Sequence, residues 1–171
     1  MDLKKHIKNI HDFPKPGILF RDVNPLFQSP ELSNFVINQL GSYCEKYQPD
    51  YIAGIEARGF IVGSALSNAT GIGFIPIRKK GKLPGEIISY KYELEYGTDS
   101  LEIQKDCCSK GSRVLLVDDL LATGGTAKAA SDLLSSVDVE VVAIAFIVEL
   151  SELNGRDKLD KSYPIISLVK Y

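Results

Sequence analysis

Residues 114–126 read VLLVDDLLATGGT and carry the densest chemical pattern in the sequence. Four apolar residues suit a buried strand, Asp118 and Asp119 end it, and Ala122, Thr123, Gly124, Gly125 and Thr126 form a turn of small residues that opens a helix. The backbone N–H groups of such a turn, two threonine hydroxyls and the helix dipole all favour a phosphate. Two carboxylates beside a phosphate repel it, unless they accept hydrogen bonds from neutral hydroxyls of the same ligand or meet its charge through a divalent cation. A sugar phosphate with free hydroxyls satisfies both halves. An ordinary capped turn is the plain alternative. A strand ending in acids also suits the second motif of nucleoside triphosphatases, but that requires a Gly-x-x-x-x-Gly-Lys-Ser/Thr loop, and the nearest candidate, Gly54 to Gly59, runs into Phe60. A dinucleotide fingerprint fails as well, because Pro76 stands where Gly71 and Gly73 would need a third glycine.

Two further clusters suit anions. Glu56-Ala57-Arg58-Gly59 follows an apolar run and precedes a helical pattern, so its backbone amides and Arg58 are placed to hold a diphosphate. Arg78, Lys79, Lys80 and Lys82 put four cations into five residues, on a loop closed by Pro84 and Gly85. Such a run is commonly a solvated face. In a chain of formal charge -2, however, a basic cluster just after a strand is where a leaving diphosphate would be neutralised. Glu95, by pattern alone, is an outward residue of an alternating strand, and residues 17–22 read as an edge strand or a core cover. His6 and His11 have no metal-ligand partner pattern and are expected at the surface.

The elements that must position these groups are legible from periodicity. Ser29-Pro30-Glu31 starts a helix in which Leu32, Val36, Leu40, Tyr43 and Tyr47 recur at helical spacing, ending before Pro49. Buried strands are expected at 51–55, 73–77, 114–117 and 141–148; helices follow the first and third, with Ile61, Ala65, Leu66 and Ala69 on one and Ala127, Ala130, Leu133 and Leu134 on the other. Alternating strands and helices with short loops predict an α/β fold, a mostly parallel twisted sheet flanked by helices, with ligands bound beyond the carboxyl ends of the strands. Residues 86–104 read instead as extended or hairpin structure inserted into that pattern. The 171 residues and 18.8 kDa suit one domain spanning 1–171, and 44% hydrophobic with 25% charged residues is a globular composition. Twenty Lys and Arg against 22 Asp and Glu remove the electrostatic signature of a general nucleic-acid or membrane-surface binder. Cys44, Cys107 and Cys108 lack the spacing of a zinc site, the N-terminal residues form no signal sequence, and no apolar run approaches a membrane span, so a reducing cytoplasmic setting is expected.

The apolar strand, acidic pair and Thr-Gly-Gly-Thr loop resemble the type I phosphoribosyltransferases. Within that family the chain is similar to those that use adenine, through motifs in order along nearly its whole length: Phe13-Pro14 to Phe20-Arg21-Asp22, Glu56-Ala57-Arg58-Gly59-Phe60, 78–85 (RKKGKLPG), Leu94-Glu95-Tyr96-Gly97, 101–105 (LEIQK) and Val148-Glu149-Leu150. The resemblance implies transfer of phosphoribosyl from 5-phosphoribosyl 1-diphosphate to adenine, giving AMP and diphosphate. It implies that Ala122, Thr123, Gly124, Gly125 and Thr126 hold the 5′-phosphate and Asp118 and Asp119 the ribose hydroxyls. Ala57, Arg58, Arg78, Lys79 and Lys82 would take the diphosphate, with a non-proline cis peptide near Glu56-Ala57. Glu95 would be the catalytic acid/base group, with Arg58 and Lys82 assisting the leaving group. Leu19, Phe20, Arg21, Leu120 and Leu150, with Glu95, would surround adenine. A small N-terminal hood over approximately 1–30 and a flexible flap over approximately 79–100 are implied, as are a homodimer and magnesium held mainly through substrate and water without direct protein ligands. Asn24, where the family more often has Ser or Thr, and Cys107-Cys108 depart from the pattern.

Overall fold

A computed structural model describes residues 1–94 and 97–171. The chain begins with a short turn of 3-10 helix, Leu3–His6, and a two-stranded antiparallel ribbon, β1 (Lys8–His11) with β2 (Leu19–Asp22). A one-turn helix α1 (Asn24–Gln28) leads into α2 (Pro30–Tyr47). The Ser29 hydroxyl accepts the Leu32 N–H and Pro30 sits in the first turn, so the start of α2 is fixed by a side-chain cap and a preset φ. Gln48 ends it in the left-handed conformation, before Pro49.

Then come β3 (Tyr51–Ile55), α3 (Arg58–Thr70), β4 (Gly73–Lys79), β5 (Ile87–Leu94), β6 (Gly97–Gln104), β7 (Arg113–Leu121), α4 (Gly125–Ser135), β8 (Glu140–Glu149) and β9 (Ile165–Lys170). Among the described residues these strands form a seven-stranded sheet in the order β5-β6-β4-β3-β7-β8-β9. The five strands from β4 to β9 in that order pair parallel, and β5 and β6 add an antiparallel hairpin at the β4 edge. Residues 87–94 and 97–104 are thus antiparallel strands, in line with the extended or hairpin reading of 86–104.

Strand alternation divides the core into two layers. Ile52, Leu115, Val117, Ala143 and Ala145 face Leu32, Val36, Leu40, Val62 and Leu66 of α2 and α3. Ala53, Ile55, Leu116, Ile144 and Phe146 face Ala127, Ala130, Leu133 and Leu134 of α4. Helices therefore cover both faces, which is why β3 and β7 are apolar along most of their length. Among the described residues, no helix is long and apolar enough to cross a membrane.

Some strands run beyond their sequence reading: β7, expected over 114–117 and ended by the acids, continues through Asp118 and Asp119 to Leu121, paired with β8. The apolar run at 73–77 continues as strand through Arg78 and Lys79, because β6 pairs with these two residues. β9 completes the far edge of the sheet against β8.

Candidate active site

The carboxyl ends of β3, β4 and β7 open into a cleft of about 340 Å³, lined by residues 56–58, Lys79 and residues 118–127. Parallel pairing carries this out: β3, β4 and β7 run in the same direction, so the loop after each meets the same end of the sheet. The acid pair, the small-residue turn and the Glu56-Ala57-Arg58 loop are separated by some 60 residues in sequence and share one wall-to-wall space.

Gly124 caps α4 with φ of +80°, a conformation that suits glycine. Lys128 N–H donates to the Gly124 carbonyl at 2.9 Å, and residues 122–127 line the cleft, where the first N–H groups of α4 have no acceptor within the helix. Behind the turn, a Cβ on Gly124 would come within 3.0 Å of the Gly155 carbonyl carbon. Gly155 belongs to the 3-10 turn Gly155–Lys158, so this turn forms the rear support of the loop. Its sequence signal, Asn154-Gly155, indicates a turn and nothing about where that turn docks.

Asp118 and Asp119 lie on the cleft floor, Asp119 buried and Asp118 half-buried. The Asp119 N–H donates to Asp118 Oδ1 at 2.9 Å, and burial, with the adjacent Asp119 charge, pushes the Asp118 carboxyl well above the usual carboxylate range. Arg58 Nε donates to Asp119 Oδ2 at 2.5 Å. The opening turn of α3 lies so close that a Cβ on Gly59 would stand 2.9 Å from Asp118 Oδ1. The peptide bond between Glu56 and Ala57 is cis, where the motif places it.

The basic cluster is organised by Glu56. Its carboxylate accepts bonds from Arg78 Nη2 at 3.2 Å, Arg78 Nε at 3.3 Å, Lys82 Nζ at 2.8 Å and the Lys79 N–H at 3.0 Å. The Arg78 and Lys82 bonds hold the Glu56 carboxyl down at about 2. Lys79 reaches the cleft wall, while its ammonium is bonded to Asp99 and Tyr92. Arg78 and Lys82 thus stand one residue behind the lining, on Glu56. Read alone, the sequence points to the cations and passes over the carboxylate that gathers them, since Glu56 lies 22 residues from Arg78.

Leu19, Phe20 and Arg21 sit half-buried on β2. The Phe20 ring lies 5.7 Å from the Arg58 guanidinium and meets Phe13 edge-on at 5.1 Å, which brings the ribbon to the cleft entrance. The Arg21 guanidinium stacks over Tyr171 at 3.8 Å and bonds Asn9, so its side chain is directed to the C-terminus and only its backbone remains for a ligand. Leu120 lines the cleft; Leu150 packs on the same apolar cluster and its N–H donates to the Leu121 carbonyl at 2.9 Å. Glu95 and Tyr96 lie outside the described residues.

Among the described residues no group of three or more His, Cys, Asp or Glu side chains converges as a metal cage. The cleft does offer hard carboxylate oxygens at Asp118 and Asp119, one of them engaged by Arg58. That donor chemistry suits a magnesium ion brought in on substrate oxygens.

A model of the phosphoribosyl transferase domain matches residues 28–170. An adenine phosphoribosyltransferase of Synechococcus sp. (strain CC9605) is 53% identical over 171 residues, covering 100% of this chain and 99% of that protein. The chain belongs to the adenine phosphoribosyltransferase family. Solved structures of adenine phosphoribosyltransferases share the fold closely. That from Thermoanaerobacter pseudethanolicus superposes with a TM-score of 0.94 at 51% identity, covering 99% of this chain and 98% of that one. The Saccharomyces cerevisiae enzyme, solved with an imino-altritol bisphosphate and adenine, superposes at 0.93 with 42% identity, covering 97% and 96%.

Proposed function

We propose that this chain makes AMP and diphosphate from adenine and 5-phosphoribosyl 1-diphosphate, with each part of the ligand assigned to one segment of the cleft. The reading rests on one observation above all: the phosphate-type turn at 122–126, the acid pair and the cation-bearing Glu56-Ala57-Arg58 loop line the same cleft. The N–H groups of Ala122 to Thr126 and the threonine hydroxyls bind the 5′-phosphate. Asp118 and Asp119 accept hydrogen bonds from the ribose hydroxyls, and their charge favours the positive character that develops on the ribose as the bond to diphosphate stretches.

Arg58, with Arg78 and Lys79 at the end of β4 and Lys82 on the loop that follows, neutralises the departing diphosphate. A magnesium ion carried in on the substrate would supply charge neutralisation at the diphosphate oxygens, and Asp118 and Asp119 are the carboxylates that would hold it through water. Phe20, Leu120 and Leu150 provide apolar surface for the base, and backbone groups at Leu19 and Arg21 read its six-position edge. Adenine presents a donor there, so a backbone acceptor left unpaired by another purine discriminates against it. Glu95 exchanges the imidazole proton of the base. The N-terminal segment over approximately 1–30 acts as the hood and the segment over approximately 79–100 as the flap. The active form is a homodimer in the cytoplasm, a setting that suits three unpaired cysteines.

The reading is tested by mixing the protein with adenine and phosphoribosyl diphosphate and following diphosphate release with and without a magnesium chelator. Release that requires both adenine and magnesium supports it. Absence of release in magnesium, with the substrate demonstrably bound, overturns the enzymatic reading in favour of a sensor.

A further inference from the structure

Outside the cleft, Glu149, the last residue of β8 and 5% exposed, is a buried charge whose two carboxylate oxygens are both bonded. Arg156 Nε donates to its Oε1 at 2.7 Å and Arg156 Nη2 to its Oε2 at 2.7 Å, while Ser167 Oγ donates to Oε2 at 2.6 Å. Arg156 also donates to the Ile165 carbonyl at 3.2 Å and to Ser167 Oγ at 3.3 Å, and Lys170 Nζ stands 3.9 Å from Glu149 Oε2. The Arg156 bond is the chief reason the Glu149 carboxyl titrates below its ordinary range. A two-point guanidinium–carboxylate pair fixes direction as well as distance. Taking both charges out of water is costly, and apolar residues of similar volume often hold strands together as well or better. Packing β8 against β9 therefore does not by itself call for this pair.

Its location does. Arg156 follows Gly155 directly, and the Gly155 backbone presses on the phosphate turn: a Cβ at Gly155 would come within 3.1 Å of both the Ala122 carbonyl carbon and the Gly124 nitrogen. No side chain intervenes, so a shift of the Gly155–Lys158 turn is transmitted to Ala122 and Gly124 as backbone displacement. We infer that Glu149 and Arg156 are positioning residues for the phosphate turn, holding the Gly155 backbone against Ala122 and Gly124 and thereby setting the affinity for the 5′-phosphate without touching the ligand. The inference rests on the assignment of residues 122–126 to that phosphate.

Ribose 5-phosphate is the probe, titrated calorimetrically into the parent and into Glu149→Gln, Arg156→Met and the double variant, with adenine binding measured alongside. Each single variant is expected to weaken ribose 5-phosphate roughly tenfold, and the double variant no more than either alone, because both remove one device. Adenine binding stays within about twofold, a separation that general loosening of the core would not produce. Arg156→Lys, which keeps the charge, recovers part of the affinity. Should Arg156→Met fail to fold, Glu149→Gln keeps the side-chain shape and carries the same expectation. Folded variants that bind ribose 5-phosphate as the parent does, or that lose adenine and ribose 5-phosphate equally, overturn the inference. A parent that binds no ribose 5-phosphate overturns the assignment of the turn itself, which separates the two failures.

Discussion

Arg58 Nε stands 2.5 Å from Asp119 Oδ2, which joins the first residue of α3 to the acid pair at the end of β7. The cation assigned to diphosphate and an acid assigned to ribose are therefore held in register with each other. Asp119 is buried at 6% side-chain exposure and Arg58 is open at 41%, so the pair presents its guanidinium to the cleft while the carboxylate anchors it. Preset geometry of this kind removes part of the ordering cost of binding.

Arg58→Met keeps the side-chain stem and removes the charge. A hydrogen bond to a charged group contributes about 1.5–3 kcal/mol, so the KM for phosphoribosyl diphosphate is expected to rise roughly 10-fold to 100-fold while the KM for adenine changes little. Steady-state kinetics with each substrate varied in turn checks this. An unchanged KM for phosphoribosyl diphosphate would remove Arg58 from the diphosphate site.

Much of this arrangement is legible from sequence because it is local. The 114–126 motif contains its own strand, acids and turn, and the observed β7 and the head of α4 follow it closely. The covered parallel strands announce themselves as apolar runs. What sequence does not display is what the fold brings together at long range. Glu56 takes its meaning from Arg78 and Lys82, 22 and 26 residues away, and Gly155 from Ala122 and Gly124. β1 is exposed at all four positions, so no apolar alternation marks it, and β9 is short with a mixed burial pattern.

Gly124→Ala tests the rear support of the phosphate turn. The substitution forces a φ of +80° on a residue with a side chain and drives the new Cβ into the Gly155 carbonyl. Left-handed strain and overpacking each cost about 1–3 kcal/mol, together lowering Tm by at least ~4 °C in a chain of this size. Gly125→Ala, with no atom within 4 Å of the added Cβ, is the control and is expected to leave Tm nearly unchanged. Equal melting of the two variants would contradict the close approach.

The Glu56 carboxyl gives a pH signature. Its folded pKa lies at about 2 against an ordinary value of 4.5, so its bonds to Arg78 and Lys82 stabilise the fold fully above about pH 4.5. That contribution declines as pH falls from 4.5 and is lost through pH 2. Glu56→Gln is therefore expected to be less stable than the parent at neutral pH, with the difference shrinking across this acid window. Urea unfolding at a series of pH values measures it. A stability difference that stays constant down to pH 2 would show that the charge is not the source.

Glu95→Gln addresses the proton transfer. General acid–base catalysis contributes about 100-fold to 10,000-fold, so kcat is expected to fall by something in that range with adenine affinity changed far less. Rapid-quench turnover together with adenine titration separates the two quantities. A kcat equal to the parent's would assign the proton to another group.

Under the proposed function, the cleft selects adenine as the acceptor of phosphoribosyl. Supplying adenine, hypoxanthine, guanine and xanthine together at equal concentration, with phosphoribosyl diphosphate and magnesium, and identifying the nucleotides formed measures this directly. AMP as the predominant product is the predicted result; IMP, GMP or XMP in its place would contradict the account.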